Sequence, residues 1–357
     1  MLFNGTLTTT DTLRQTIRHH YRIDENAILT LLLPIASISA KQKSYAWQYA
    51  RQLMLNIRQA QKGNNNLDAL LNEFSLSTDE GLVLMCLAEA LLRVPDKFTT
   101  DALIHDKLGY ANWRSHIGNS ESLFVNASSW ALLLTGKVIN PNEQNHNKQI
   151  RLLKNTIKRL GEPVIRQSVR YAMKIMGKQF VMGTDINDAL GRAIKNEQQG
   201  YRYSYDMLGE GARTQIDADS YFDRYLQAVT TIGSIANHGG PEKNAGISIK
   251  LSALHPRYEF AQYDRVRKEL LPKIKQLAIA AKQYNIGLTI DAEEANRLDI
   301  SLDIIEEIYN TPELNDWQGF GLAVQAYQKR SLSLIEWLRA LSLRGGRTIN
   351  VRLVKGA

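Results

Sequence analysis

Gly246-Ile-Ser-Ile-Lys-Leu-Ser-Ala-Leu-His-Pro-Arg-Tyr258 decides how the rest of the chain is read. Ile247, Ile249 and Leu251 alternate with Ser248, Lys250 and Ser252, and a period of two is the signature of a strand. Pro256 then breaks the run, because proline cannot donate to a strand ladder. The alternation places Lys250 in mid-strand, where an ammonium is costly to bury alone and has to meet a carboxylate, a ligand or water. On this stretch alone, a lysine paired to a structural acid and a lysine serving a site weigh about evenly.

Repetition shifts the balance. Tyr203-Ser-Tyr-Asp-Met-Leu208, Gly287-Leu-Thr-Ile-Asp-Ala-Glu293, Gly319-Phe-Gly-Leu-Ala-Val-Gln-Ala-Tyr327 and Thr348-Ile-Asn-Val-Arg-Leu-Val-Lys-Gly356 are likewise short and apolar. Each carries a polar or charged residue at or near its C-terminal end: Asp206, Asp291, Gln325 and Arg352. Together with Lys250 these residues lie about 27 to 44 positions apart, room for one right-handed helical crossover each. In a barrel of parallel strands and outer helices the functional groups gather at the C-terminal strand ends. The fold expected is α/β: an N-terminal all-helical arm and helical domain, then an incomplete TIM-like (β/α)8 barrel with about five strands; the alternation alone would also permit a doubly wound sheet, although no Gly-x-Gly-x-x-Gly follows any strand to support its dinucleotide-binding version.

Composition narrows the classes. The chain has 357 residues, enough for two domains, a net charge of +8 and one cysteine, Cys86, so neither an internal disulfide nor a cysteine-built metal site is expected. Met1-Leu-Phe-Asn-Gly does not open a secretory signal, and the apolar run 27–40 is too short to span a bilayer and contains Pro34, so a cytoplasmic protein is expected. Basic and acidic residues are interleaved almost throughout. The densest basic patch puts Arg14, Arg18 and Arg22 on one helix face, read as a solvated face in preference to a DNA or phospholipid contact, since no nucleic-acid motif accompanies it.

Taken in order, 1–60 reads as a helical arm, with Tyr45, Tyr49, Leu53 and Ile57 at four-residue spacing in its second half. Residues 61–150 read as a helical domain. Ser77 and Glu80 form a capping box ahead of an apolar helix over 81–93 holding Cys86. Trp113 and Trp130 are core candidates, and 140–147 is a polar linker. Residues 151–357 read as the barrel domain. Asp217 is the expected cap of a helix bearing Phe222, Tyr225, Leu226, Val229 and Ile232. Helices over 265–284 and 301–309 follow, and Ser333 with Glu336 is a second capping box ahead of 334–343.

These stretches resemble the proline dehydrogenase part of the proline utilization A family. The likeness runs through Tyr205-Asp-Met-Leu-Gly-Glu210, the 246–258 stretch, Ile290-Asp-Ala-Glu-Glu294, Gln325-Ala-Tyr-Gln-Lys-Arg330 and Val351-Arg-Leu-Val-Lys-Gly-Ala357. In the helical part it includes Leu84-Met-Cys-Leu-Ala-Glu-Ala-Leu-Leu-Arg93 and Ser122-Leu-Phe-Val-Asn-Ala127. The resemblance implies an FAD enzyme that oxidises L-proline to 1-pyrroline-5-carboxylate and passes the electrons to a membrane quinone. It also implies peripheral association with the inner face of the cytoplasmic membrane, and a homo-oligomer for the full-length enzyme.

By motif, Lys250 would hold the substrate carboxylate, with Asp206 beside it. Arg352 would sit near the flavin N5, and Gln325 would bond the ring edge. Lys355, Gly356 and Ala357 would contact the flavin or its ribityl–phosphate chain. Asp291 would orient the cations. Strand parity puts Arg352 and Lys355 on opposite faces, so Lys355 is expected beyond the strand end. The family's ribbon–helix–helix module is not seen, so no DNA-binding module is expected. Three further strands and a closing helix would follow Ala357, so the barrel is expected to be truncated. Two alternatives stand beside this reading: a Schiff-base enzyme of class I aldolase type using Lys250, and a non-catalytic piece acting in assembly.

Overall fold

The structure is a computed structural model, and it describes residues 11–60, 99, 181–236 and 239–356. The Ser77–Glu80 capping box, Cys86, Trp113, Trp130, the 140–147 linker, the helices expected between 81 and 176, and Ala357 lie outside the described residues. The chain divides into two compact units, Met1–Ser37 with Ala189–Ala357, and Ile38–Asp188. In the second unit, helix α3 (Ala40–Ala60) carries the four-residue spacing of Tyr45, Tyr49, Leu53 and Ile57, with Tyr45 and Tyr49 stacked.

The first unit holds α1 (Thr12–His20), α2 (Glu25–Ala36) and then an alternation of strand and helix. Helix α4 (Ile186–Glu197) leads into β1 (Ser204–Asp206), α5 (Gln215–Ser234), β2 (Gly246–Ile249) and the short α6 (Leu251–Leu254). There follow α7 (Tyr263–Gln283), β3 (Leu288–Ile290), α8 (Leu298–Tyr309), β4 (Phe320–Gln325), α9 (Ser331–Gly345) and β5 (Asn350–Val354). All five strands are parallel and lie in sequence order, β1-β2-β3-β4-β5, each neighbour reached through a helical crossover. This is the curled five-strand half-barrel that the strand spacing anticipates, behind a helical N-terminal region.

Register explains which side chains do what. Tyr205, Ile247, Leu288, Phe320 and Asn350's neighbour Val351 share one face, and Asp206, Ser248, Thr289, Gly321 and Asn350 share the other. The first face goes to the helices. Ile247, Ile249, Leu288, Ile290, Leu322 and Val324 are fully or almost fully buried there. Helix α7 adds Val266, Leu270, Ile274, Leu277 and Ala281, all buried and all at the helical spacing read from the sequence. Each Val, Leu or Ile among them contributes roughly 1.5–3 kcal/mol on burial, and the strand residues thereby fix the register, because a one-residue slip would expose the whole strand set.

Several local expectations are corrected. Strand β2 stops at Ile249, and Leu251–Leu254 is a helical turn whose four residues are all buried, so Lys250 sits at the strand's end rather than in its middle. Thr214, not Asp217, caps α5: the Thr214 hydroxyl accepts from Asp217 N at 3.2 Å, and Asp217 returns the bond to Thr214 N at 2.9 Å. Helix α9 starts at Ser331, two residues before the expected capping serine. Ser333 is buried within the helix, and its hydroxyl lies 2.9 Å from His20 Nδ1.

The basic patch is corrected most sharply. Arg14 is 1% exposed, with its guanidinium 2.9 Å from Asp299 and 2.6 Å from Asp303 on α8, and 5.3 Å from the Trp337 ring centroid. Arg18 adds a second bond to Asp299 at 2.7 Å. The face read as solvated is therefore the one that docks α1 onto α8 and α9, because a guanidinium can be buried where carboxylates and an aromatic face receive it.

Candidate active site at the C-terminal strand ends

The polar face of the sheet culminates at the C-terminal ends of its strands. Lys250 continues β2 by one residue in extended conformation, and Asp291 continues β3, its N–H donating to Ile249 O at 2.9 Å. Both keep the parity of Ser248 and Thr289 and so leave the helix-facing side. Lys250 Nζ donates to Asp206 at 2.7 Å and to Asp291 at 2.9 Å. The other oxygen of Asp291 receives Arg352. Four side chains from β1, β2, β3 and β5 thus form one alternating row, acid–base–acid–base. Gln325 ends β4 on the same face as Arg352, since Ala323 pairs with Arg352 and Gln325 with Val354.

The row is partly dry. The Lys250 side chain is 17% exposed and that of Asp291 11%, whereas Asp206 and Arg352 open to solvent. Burial alone would pull the lysine down, but its hydrogen bonds and charge contacts with Asp206 and Asp291 outweigh that and hold it above the ordinary lysine value. It is therefore a fixed ammonium at neutral pH. A Schiff-base nucleophile needs the opposite, a neutral amine with a depressed pKa, so this setting disfavours the aldolase alternative.

Other residues hold the row in place, and sequence reasoning assigned them no role. Tyr225, read as a core residue of α5, accepts from Lys250 N–H through its hydroxyl at 3.3 Å, and burial pushes that phenol up to about 12. Glu293, two residues past Asp291, accepts from Ser252 N at 3.1 Å and from the Ser252 hydroxyl; Gly211 N donates to that same hydroxyl at 3.1 Å. One carboxylate thereby ties the turn after Lys250 to the loop after β1. Burial raises Glu293 above the ordinary carboxylate value, with the Ser252 bonds opposing. Asp291, Glu293, Gln325, Gln328 and Arg330 line a small cavity beside the row.

Lys355 lies just past β5, as parity requires, and is exposed. Gly356 follows with φ +88; a Cβ there would fall 2.6 Å from the Tyr327 ring and 2.9 Å from Gln325 Cβ. The cluster of groups expected from the strand ends, Asp206, Lys250, Asp291, Gln325 and Arg352, is thus brought to one face, with Lys355 and Gly356 at its border.

Comparison with known proteins identifies the lineage. Residues 189–357 match the family model for proline dehydrogenase, and residues 11–58 match that for the proline utilization A proline dehydrogenase N-terminal domain. The bifunctional protein PutA of Escherichia coli (strain K12) is 49% identical over 347 residues, covering 96% of this chain. The chain belongs to the proline utilization A family. The PutA of Rhizobium meliloti is 46% identical over 97% of this chain. A crystal structure of a Bradyrhizobium japonicum proline utilization A mutant, 44% identical, superposes with a TM-score of 0.64 over 94% of this chain and 33% of its own. The chain spans about a quarter of the length of the PutA proteins it matches, 26% for the Escherichia coli protein and 28% for that of Rhizobium meliloti.

One expectation is overturned. Residues 66–180 match the family model described as the DNA-binding domain of proline dehydrogenase, so the expectation that the chain carries no DNA-binding module is wrong. That expectation rested on the absence of a ribbon–helix–helix and of any short nucleic-acid motif. The matched segment is recognised instead over 66–180 as a whole, where no short motif marks it.

Proposed function

We propose that the chain carries the proline-oxidising site of this family: FAD-dependent oxidation of L-proline to 1-pyrroline-5-carboxylate, with the electrons delivered to a membrane quinone. The observation that carries the proposal is the Asp206–Lys250–Asp291–Arg352 row at the C-terminal strand ends, where such barrels do their chemistry. A carboxylate substrate and an electron-rich reduced cofactor both need fixed cations in a partly dry site, and Lys250 and Arg352 are that.

The residues fit a flavin. The donor set at the border is cationic or amide: Arg352, Gln325 and Lys355. At Gly356 the left-handed backbone and the missing Cβ let the chain lie close to Gln325 and Tyr327, as a cradle for a cofactor requires. When bound, the flavin supplies the two-electron acceptor. Lys250 holds the proline carboxylate. Arg352 would lie toward the ring's reacting nitrogen and stabilise negative charge there. Gln325 would bond the ring edge, and Lys355, Gly356 and Ala357 would hold the flavin or its ribityl–phosphate chain. Asp291, with Asp206, aims the two cations and keeps them paired. Residues 1–60, 61–150 and 151–357 form arm, helical domain and dehydrogenase barrel in this reading. No helix among the described residues is long and apolar enough to cross a membrane. The proposed location is cytoplasmic, on the inner face of the cytoplasmic membrane.

The test is the visible absorption spectrum of the purified chain supplied with FAD, before and after anaerobic addition of proline. A flavin band that bleaches supports the proposal. A chain that takes up no flavin, or one whose flavin stays oxidised, overturns it.

A further inference from the structure

We propose that Gln328, Arg330 and Tyr21 form a positioning relay that fixes the side-chain amide of Gln325, turning its N–H2 group away from Gln328 and leaving it for the site. The functional half of this proposal rests on the flavin reading above; the structural half does not.

Donor and acceptor identities force the orientation of both amides. A guanidinium only donates. Arg330 Nε lies 2.8 Å from Gln328 Oε1, so the oxygen of that amide is turned toward the arginine. Gln328 Nε2 must then point the other way, and it donates to Gln325 Oε1 at 2.7 Å. The Gln325 carbonyl is thereby turned toward Gln328, and among the described residues its own N–H2 donates to no side chain or backbone oxygen. An amide orientation that is ambiguous in isolation is set by a cation two links away.

The first link is itself clamped. Arg330 is 3% exposed, donates to the carbonyl of Ala295, and lies over the Tyr21 ring at 4.0 Å from its centroid. The neighbouring Lys329 donates to Ile23 O at 2.9 Å and pairs with Glu25 at 3.3 Å. The α1–α2 junction, residues 21–25, therefore grips the loop after β4 at three points. The loop is short and stiff: Gln328 N bonds Gln325 O at 3.4 Å, and Ser331 N bonds Gln328 O at 2.9 Å. A segment some 300 residues away in sequence sets the polarity of the last residue of β4.

The consequence for chemistry is a sign. With its carbonyl occupied, Gln325 presents donors and no acceptor to a ring placed at the strand ends. Donors favour the electron-rich reduced ring, whereas a carbonyl turned inward would favour the oxidised one. Gln328→Glu reverses the relay: a carboxylate accepts only, so Gln325 turns its N–H2 to Glu and its oxygen to the site.

The experiment uses the whole chain, labelled with 15N, and reads the Gln325 side-chain amide by nuclear magnetic resonance; Gln325→Leu identifies the signal by its loss. The parent is expected to show a shifted, slowly averaged amide pair. In Gln328→Leu and in Arg330→Met that pair should collapse toward free glutamine, and in Tyr21→Leu it should move the same way by a smaller step. A Gln325 pair that stays in place in Gln328→Leu overturns the relay, whatever the flavin does. For the functional half, the proline–flavin equilibrium of Gln328→Glu should shift about fivefold toward oxidised flavin, the scale of one hydrogen bond. A shift toward reduced flavin, or none, overturns that half. A parent whose flavin proline does not bleach sinks the flavin reading and with it the functional half, and the amide signal still decides the relay.

Discussion

Lys250 Nζ lies 2.9 Å from Asp291 Oδ2, and the opposite oxygen of the same carboxylate receives Arg352. Asp291 is thus the hinge of the charge row: one acid from β3 sets the direction of a cation from β2 and one from β5. Asp291→Asn keeps the volume and removes the charge that both cations share. Under the proposed chemistry, flavin reduction by proline should slow by about a hundredfold, the scale of misplacing a reacting group by an ångström. Rapid-mixing absorbance under anaerobic conditions measures this. A reduction rate equal to the parent's would show that Asp291 only fills space.

Lys250→Ala tests a different element of the row. It removes the cation assigned to the substrate carboxylate and leaves Asp206 and Asp291 facing the substrate. The concentration of proline needed for half-maximal reduction should rise at least tenfold, about the value of one charged hydrogen bond, while Arg352 keeps its partner. Arg352→Met should do the reverse, slowing reduction at saturating proline. Parallel losses in both quantities for both variants would mean the two cations are not divided between substrate and ring.

Glu293 gives a stability prediction with a definite sign. Its carboxyl is held above the ordinary value of 4.5 by burial, so over the range above 4.5 the folded chain binds more protons than the unfolded one. Stability contributed by this group therefore falls as pH rises from about 4.5 through the folded-state pKa of Glu293. Asp303 and Glu306 are raised by burial as well and act in the same direction, so the parent alone is not diagnostic. Glu293→Gln keeps an acceptor for Ser252 and removes the titration. Thermal unfolding of both proteins across the mildly acidic range should show a steeper fall for the parent; superimposable curves would refute the assignment.

Arg14 shows where sequence reading reaches its limit. Its pattern with Arg18 and Arg22 gives a helix face, but amphipathicity does not say which face is covered. The answer lies in Asp299 and Asp303, 285 and 289 positions away. The strands were legible because alternation and register are local: Ile247, Ser248 and Ile249 need only their neighbours to declare a face. Asp206, Lys250, Asp291, Gln325 and Arg352 were legible for the same reason, each being a polar residue in or at the end of a short apolar run, although the alternation puts Lys250 in mid-strand and it stands at the strand's end, and Arg352 lies within β5. The end of β2 was not, since Leu251–Leu254 continues the apolar alternation while turning helical. Ser333 had the spacing of a cap, but His20 holds its hydroxyl inside α9. Tyr225 and Glu293 looked like core and motif filler because their partners, Lys250 N–H and Ser252, come from other elements. Arg14→Met should cost about 3 kcal/mol by leaving two acids with too little positive charge. Urea unfolding measures it, and adding Asp303→Asn should recover part of the loss. A cost below about 0.5 kcal/mol, ordinary for a surface change, would restore the solvated reading.

Gly356 and Gly346 make a matched pair for the last prediction. Both hold left-handed backbones, φ +88 and φ +63, so alanine at either should cost about 1–2 kcal/mol of backbone strain. They differ in what surrounds the missing Cβ. At Gly346, which ends α9, nothing lies within 4 Å, whereas at Gly356 the Tyr327 ring and Gln325 Cβ stand at 2.6 and 2.9 Å. Gly346→Ala should therefore lower stability alone. Gly356→Ala must push Tyr327 and Gln325 as well, and Gln325 is the residue assigned to the ring edge. Flavin retention, measured by the fraction of cofactor surviving gel filtration, should fall for Gly356→Ala and hold for Gly346→Ala at equal loss of thermal stability. If both variants lose flavin in proportion to stability, the border at Gly356 is a structural turn and no part of the cofactor's cradle.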